Sequence, residues 1–258
     1  MKSNGYNTPR DSRRRFISAA LAIASTAALS SLPTAALAQY GAPAASGSSK
    51  MKIGIIGSGR VGGAVGGAWV KAGHEVMFSS LNLDEDKKLA ASLGGGAKAG
   101  TPREAAAFGT VLLISVPYRA LPGVGKDLAD LIKGKVVIDT SNPIVARDGD
   151  MAVAAREKGA GLSSIEFLPG ARIVRAFNAV GFARMAEAAG KGGEKMGMPI
   201  AGDDQAAINT ASALVRDVGY EPVLVGTLVT MGKHLIPGTP LAGERSAEEV
   251  RRVAATLK

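Results

Sequence analysis

Three glycines, Gly57, Gly59 and Gly62, stand in the spacing Gly-x-Gly-x-x-Gly, with Ser58, Arg60 and Val61 between them. That spacing serves one kind of chemistry, which is bringing backbone N–H groups against an anion. The first glycine permits a tight turn, the second lets the backbone approach a pyrophosphate, and the third lets the following helix pack closely. Residues for other chemistries are scarce. The chain has no Cys, which excludes disulfides, thiolate nucleophiles, Cys-held zinc and iron–sulfur clusters. His74 and His234 are the only imidazoles, so neither a multi-histidine metal centre nor a Ser-His-Asp triad is expected. The pair Asp203-Asp204 admits a metal or acid–base role. It follows Gly202 and begins a helical pattern, so capping is the favoured reading, and no metal site is expected.

The elements that must hold these residues read as an alternation of strands and helices. Met51–Ile56 is a short apolar run suited to a strand buried on both faces. The glycine motif follows it, then an Ala/Val/Gly helix pattern ending at Gly73, then a second strand, Glu75–Ser79. That order, within about 30 residues, is the context that makes the motif a dinucleotide fingerprint. After the second strand comes Ser79-Ser80-Leu81-Asn82, with no carboxylate before Asp84. An acid at the strand end would bond the ribose hydroxyls of NAD. Here Ser79, Ser80 and Asn82 are read as donors to a 2′-phosphate, which favours NADP (NADPH), although no arginine is present to clamp it. Further strands are expected at Thr110–Ser115, Lys135–Asp139 and Arg172–Ala176, with a helix at Ala120–Ile132. Their ends, at Ser115, Val116, Pro117, Asn142 and Asn178, would wall one cleft, since ligands of open parallel sheets sit beyond the carboxyl ends of the strands. Each of these residues has the alternative of merely ending a strand or capping a helix. Met198–Ala201 and Glu221–Val225 read as strands flanking a helix over Asp203–Val218. The tail Met231–Pro240 is punctuated by Gly and Pro and reads as too irregular for the core. His234 in that tail would either cover a second ring or be a surface loop residue, the latter favoured. His74, at a helix C-terminus, is read as structural.

Composition and charge narrow the partners. The 258 residues are 46% hydrophobic and only 4% aromatic, with 34 Gly, which fits close backbone packing in α/β layers. The formal net charge is +9, and nearly half of the excess lies ahead of Gln39, in Lys2, Arg10, Arg13, Arg14 and Arg15 against Asp11. The rest holds no long basic run interleaved with aromatics, so no nucleic-acid partner is expected. A modest positive field suits an anionic ligand. Residues 1–38 carry Arg13-Arg14-Arg15, an apolar run from Ile17 to Leu32 and Ala36-Leu37-Ala38. That is a basic region, a short apolar region and a small-residue cleavage site, a signal peptide cut before Gln39. The arginine pair resembles a twin-arginine export signal. The expectation is an extracytoplasmic or periplasmic protein with no stable membrane span after cleavage, the apolar run being shorter than a spanning helix needs. Residues 39–50 have the composition of a flexible linker.

The stretches Ile53–Gly62, Ser115–Tyr118, Val136–Pro143, Leu168–Asn178 and Ala201–Gly226 resemble the NADPH-dependent reductases of the deazaflavin coenzyme F420. The N-terminal domain of those enzymes is related to that of pyrroline-5-carboxylate reductase. The resemblance runs from Met51 to about Arg252, and Leu168-Pro-Gly-Ala-Arg-Ile-Val-Arg-Ala-Phe-Asn178 is its most diagnostic segment. It implies an α/β fold, a Rossmann-type doubly wound, mostly parallel sheet over residues 51–180, with a small C-terminal α/β lobe over 181–258 completing an acceptor site. It also implies hydride transfer between NADP(H) and a flat small-molecule acceptor, a deazaflavin or flavin, with a homodimer admitted. Gly57, Ser58, Gly59, Arg60, Val61 and Gly62 would hold the pyrophosphate, and Ser79 and Ser80 the adenosine phosphate end. Ser115, Val116, Pro117 and Asn178 would flank the ribose and nicotinamide. No residue is assigned as a catalytic acid. The chain departs from the family at Leu81, where an arginine usually follows the serine that Ser80 matches. The alternatives are a non-catalytic dinucleotide-binding module and an imine reductase of the pyrroline-5-carboxylate type.

Overall fold

The computed structural model describes residues 49–188 and 195–257. The expected signal segment 1–38 and nearly all of the linker lie outside the described residues. Eight strands form one sheet: β1 (Lys52–Ile56), β2 (Glu75–Ser79), β3 (Ala97–Ala99), β4 (Val111–Ile114), β5 (Val136–Asp139), β6 (Arg172–Arg175), β7 (Gly197–Gly202) and β8 (Glu221–Gly226). Their order is β3-β2-β1-β4-β5-β6-β7-β8. The first six run parallel; β7 pairs with β6 antiparallel, and β8 pairs with β7 parallel. The chain is therefore an α/β fold with a mostly parallel, doubly wound sheet. The chain leaves β1 toward β2 and β3, then returns to β4 on the other side of β1. That reversal is the topological switch point, where a crevice opens beyond the strand ends.

Helices cover both faces. In chain order they are α1 (Arg60–Lys71), α2 (Leu83–Leu93), α3 (Pro102–Phe108), α4 (Leu121–Asp127), α5 (Ala129–Ile132), α6 (Val145–Asp148), α7 (Asp150–Lys158), α8 (Ala160–Phe167), α9 (Phe182–Ala188), α10 (Gln205–Val218), α11 (Leu228–Met231) and α12 (Ala247–Ala255). One core contains Ile55, Val65, Trp69, Phe78 and Leu214; the other contains Leu112, Ile114, Leu121, Leu168 and Met231. β4 supplies both, because alternate side chains of a strand point to opposite faces. Trp69 is wholly buried and donates its indole N–H to the Leu214 carbonyl at 2.8 Å, tying α1 to α10. His74 is buried too. Its Nδ1 accepts from the Met51 N–H at 3.1 Å and its Nε2 lies 3.0 Å from Asp217. Its position is thus structural, as its place after α1 implied.

Two expectations need correction. The helix expected over Ala120–Ile132 is broken into α4 and α5 at Leu128 and is preceded by a 3-10 turn at Tyr118–Ala120. Pro122, Gly123 and Gly125 weaken it, and α8 passes so close that a Cβ on Gly125 would fall 1.7 Å from the Phe167 carbonyl oxygen. The tail after Met231 is irregular in backbone but not excluded from the core. Leu235, Ile236 and Leu241 are all buried, so apolar anchoring holds a segment that no repeating hydrogen-bond pattern does. β3 and α12 were not anticipated at all.

Candidate functional site

Each glycine of the motif meets a different physical demand. Gly57 has φ +99°, and a Cβ there would fall 2.3 Å from the Ser115 carbonyl oxygen. Both the turn and the neighbouring β4 end therefore require glycine. A Cβ on Gly62 would fall 2.0 Å from the Gly57 carbonyl oxygen, so the first turn of α1 can lie on the loop only without a side chain. Gly59 is the opposite case: nothing lies within 4 Å of its Cβ position. It is the N-cap of α1, with no side-chain cap and no acid in the first turn. The leading N–H groups of α1 thus keep no side-chain partner, which is the donor set an anion uses. The loop is fixed from behind, where Gly57 N–H and Ser58 N–H both donate to the Ser79 carbonyl at 2.9 and 3.0 Å.

In front of this loop lies a cavity of about 1050 Å³, at the switch point between β1 and β4. Gly57, Gly59, Ser80, Ser115, Val116 and Pro117 line it, so six of the twelve residues read from the sequence meet in one place. Leu81, Asn82, Thr101, Arg103, Arg119 and Val124 complete much of the wall. The α3–α4 side was missed because its residues, Arg119 and Val124 included although they follow Pro117 closely, belong to helical stretches whose facing only packing sets.

The other six expected residues are placed differently. Gly62 packs the helix, as above. Val61 is partly buried against the core. Arg60 is exposed, with its guanidinium over the Phe182 ring at 5.4 Å, directed toward α9. Ser79 is wholly buried and its hydroxyl donates to the Ile55 carbonyl at 2.5 Å. Its side chain is therefore no donor to a phosphate, and its contribution to the loop is its carbonyl. Ser58 donates its hydroxyl to Asp86 Oδ1, and Ser80 donates to Asp86 Oδ2 at 2.9 Å. The two serines are thus bridged by a carboxylate that is only 1% exposed. The Asn82 side-chain oxygen caps α2 by accepting from the Glu85 N–H at 3.3 Å. The sequence did carry a signal for Asp86. It shares a helix face with Leu89, Ala90 and Leu93, which pack on the core, so it is an acid on an apolar face.

Asn178, the twelfth, belongs to a second cluster beyond the ends of β5 and β6. There Asp139 and Arg175 are both wholly buried and paired at 2.7 Å. Asp139 also accepts from the Ser164 hydroxyl at 2.6 Å and the Ser141 N–H at 2.8 Å. Arg175 donates further to the carbonyls of Ser141 (3.0 Å) and Leu235 (3.3 Å). Asn142 Nδ2 donates to the Asn178 carbonyl at 2.9 Å. Phe177, just before Asn178, holds φ 63°, a conformation an aromatic residue adopts only when its surroundings enforce it. Here its ring is buried edge-on against Trp69, with centroids 6.1 Å apart. Ser141 Oγ and Asn178 Oδ1 are buried with no hydrogen-bond partner. His234 is half-buried, and desolvation together with neighbouring Lys233 holds its pKa below the usual histidine value. Among the described residues no group of acids and histidines could hold a metal ion, and no helix is long and apolar enough to cross a membrane.

Known proteins match this geometry. The family model of NADP oxidoreductases described as coenzyme F420-dependent matches residues 52–143, the span from β1 to the end of β5 that builds the loop and the cavity. The match stops at Pro143, just past the first residues of the second cluster, and α6 to α12 lie beyond it. No curated protein matches the sequence. Among solved structures, a hypothetical protein of Sinorhizobium meliloti is similar at 24% identity and TM-score 0.67, over 76% of this chain and 95% of that one. A protein named as a candidate F420-dependent NADP reductase, from Arthrobacter sp. FB24, is similar at 20% identity and TM-score 0.59, over 72% and 90%. A pyrroline-5-carboxylate reductase from Coxiella burnetii is similar at 16% identity and TM-score 0.50, over 68% of this chain and 60% of that one. At these identities the likeness is one of fold.

Proposed function

We propose that this protein is an oxidoreductase that binds a nicotinamide dinucleotide at the switch point and moves hydride between it and a flat small-molecule acceptor such as a deazaflavin or flavin. The observation that carries the reading is the glycine loop, where Gly57 and Gly62 are required by packing while Gly59 opens onto the cavity with the α1 N–H groups behind it. A pyrophosphate fits those donors. The family match over the same residues supports the redox reading. A nicotinamide ring, when bound, supplies the hydride, and the protein's part is to set distance and angle to the acceptor. Pro117 and Val116 offer an apolar wall against which a ring can lie. None of these residues needs to act as an acid or base.

The test is oxidation of NADH and NADPH by the purified chain, followed at 340 nm, with deazaflavin, flavin and quinone acceptors offered in turn. Turnover with a flat acceptor is expected; binding without turnover on all of them overturns the reductase reading in favour of a dinucleotide-binding module. The proposal includes export by the twin-arginine route, supported by Arg13-Arg14 and the Ala36-Leu37-Ala38 site. N-terminal sequencing of the protein from a periplasmic fraction should begin at Gln39.

A further inference from the structure

We propose that Asp86 makes the site select NADH over NADPH, through the hydroxyls of Ser58 and Ser80. The inference rests on the dinucleotide reading above and concerns the end of the site where the two cofactors differ.

A serine hydroxyl has one proton and two lone pairs. Ser58 and Ser80 both direct that proton to Asp86, Ser80 at 2.9 Å in preference to the longer 3.3 Å contact with the Asn82 carbonyl. Ser80 Oγ also accepts the Asn82 N–H at 3.0 Å. What Ser80 turns to the cavity is therefore an acceptor. A ribose 2′-hydroxyl can donate to an acceptor; a 2′-phosphate, rich in acceptor oxygens and doubly charged, cannot satisfy one. The carboxylate behind the serines is 1% exposed and two hydrogen-bond lengths from anything Ser80 holds. In that weakly screened position it repels a phosphate and does not repel a hydroxyl.

The cations around this end of the site have other contacts, Arg60 holding its guanidinium over the Phe182 ring at 5.4 Å. Leu81, fully exposed at the cavity wall, brings no charge. Lys87 and Lys88 pair with Asp84 and Glu85 on their own helix, at 3.4 and 2.8 Å. Arg103 forms a two-point pair with Asp130, at 3.1 and 2.7 Å. Arg119 donates to the Arg147 carbonyl. Ser79, the remaining hydroxyl at this strand end, points into the sheet. The residues present thus fit a ribose diol and do not fit a 2′-phosphate.

Calorimetric titration of NADH and NADPH into the full chain tests this without any variant. NADH should bind at least tenfold tighter than NADPH. Equal affinities, or tighter NADPH, overturn the inference and leave the dinucleotide site standing; binding of neither overturns the site and the inference together. Asp86→Asn should tighten NADPH about tenfold while moving NADH less than threefold, because the amide removes the negative charge and, with its Nδ2 donating to one serine, frees that hydroxyl's proton. A purely structural Asp86 would weaken both cofactors alike, which would also overturn the inference. Leu81→Arg, at an exposed position that folding does not depend on, is the second variant. It should tighten NADPH further in the Asp86→Asn background than in the wild type, and an equal gain in both backgrounds counts against a role for the carboxylate.

Discussion

The two polar regions beyond the strand ends are built on opposite plans. At the ends of β1, β2 and β4 the donors are backbone N–H groups facing an open cavity, and the nearest buried charge, Asp86, stands behind hydroxyls. At the ends of β5 and β6 the charges themselves are buried and mutually satisfied, with Arg175 binding Asp139 and carbonyls from two other segments. The first region can change its ligand without unfolding the chain. The second holds the path of the chain, since Arg175 reaches both the β5 loop at Ser141 and the irregular tail at Leu235. A buried ion pair is weak evidence of net stabilisation, but removing one partner leaves the other charged in a dry interior.

That contrast can be broken most severely at Arg175. Arg175→Met should destabilise the fold by about 3–5 kcal/mol, the usual cost of orphaning a buried charge, measured by urea unfolding. Adding Asp139→Asn should recover part of the loss, because no charge is then left behind. If Arg175→Met costs no more than a surface substitution, the second region is not a structural hub.

Within the first region, Gly62→Ala and Gly59→Ala should separate folding from binding. Gly62→Ala drives a methyl to within 2.0 Å of the Gly57 carbonyl oxygen and should cost about 1–3 kcal/mol, as overpacking does. It should weaken dinucleotide binding as well. Gly59→Ala meets no protein atom within 4 Å, so its melting temperature should stay near that of the wild type. Its methyl projects where a pyrophosphate would approach, and calorimetry should show dinucleotide affinity reduced tenfold or more. Equal binding losses without any difference in stability would mean that the three glycines do not divide their work as the geometry indicates.

The smallest effect concerns pH. His234 has its pKa depressed by burial, with Lys233 adding to the shift. Protonation is then harder in the folded state than in the unfolded one. The contribution to stability is complete above the unfolded histidine pKa, about 6.5, and is lost as pH falls below it through the folded value. A shallow decline in melting temperature below about pH 6.5 is expected, and His234→Gln should flatten it. A decline of the same slope in the variant would assign it to other groups.

The local chain settled a great deal. Seven of the strands and the turn of Gly57, Gly59 and Gly62 follow from short apolar runs and from steric demands that act within a few residues, so they are legible in the order of the amino acids. The capping role of Asp204, which accepts from the Ala207 N–H at 2.8 Å and pairs with Arg172 at 2.6 Å, is likewise a local matter up to the ion pair. What tertiary structure alone decided is the direction and partnership of polar side chains. Ser79 and Ser80 are neighbours of the same type at the end of β2, yet one hydroxyl enters the sheet and the other meets Asp86. Strand alternation separates their faces, but it cannot say that α2 returns a carboxylate to one of them. The burial of Leu235 and Leu241 in a segment without periodicity, and the reach of Arg175 from β6 to Leu235, depend on contacts between residues far apart in the chain. Periodicity reports which face of an element is apolar; which polar groups meet across elements is settled only when the elements pack.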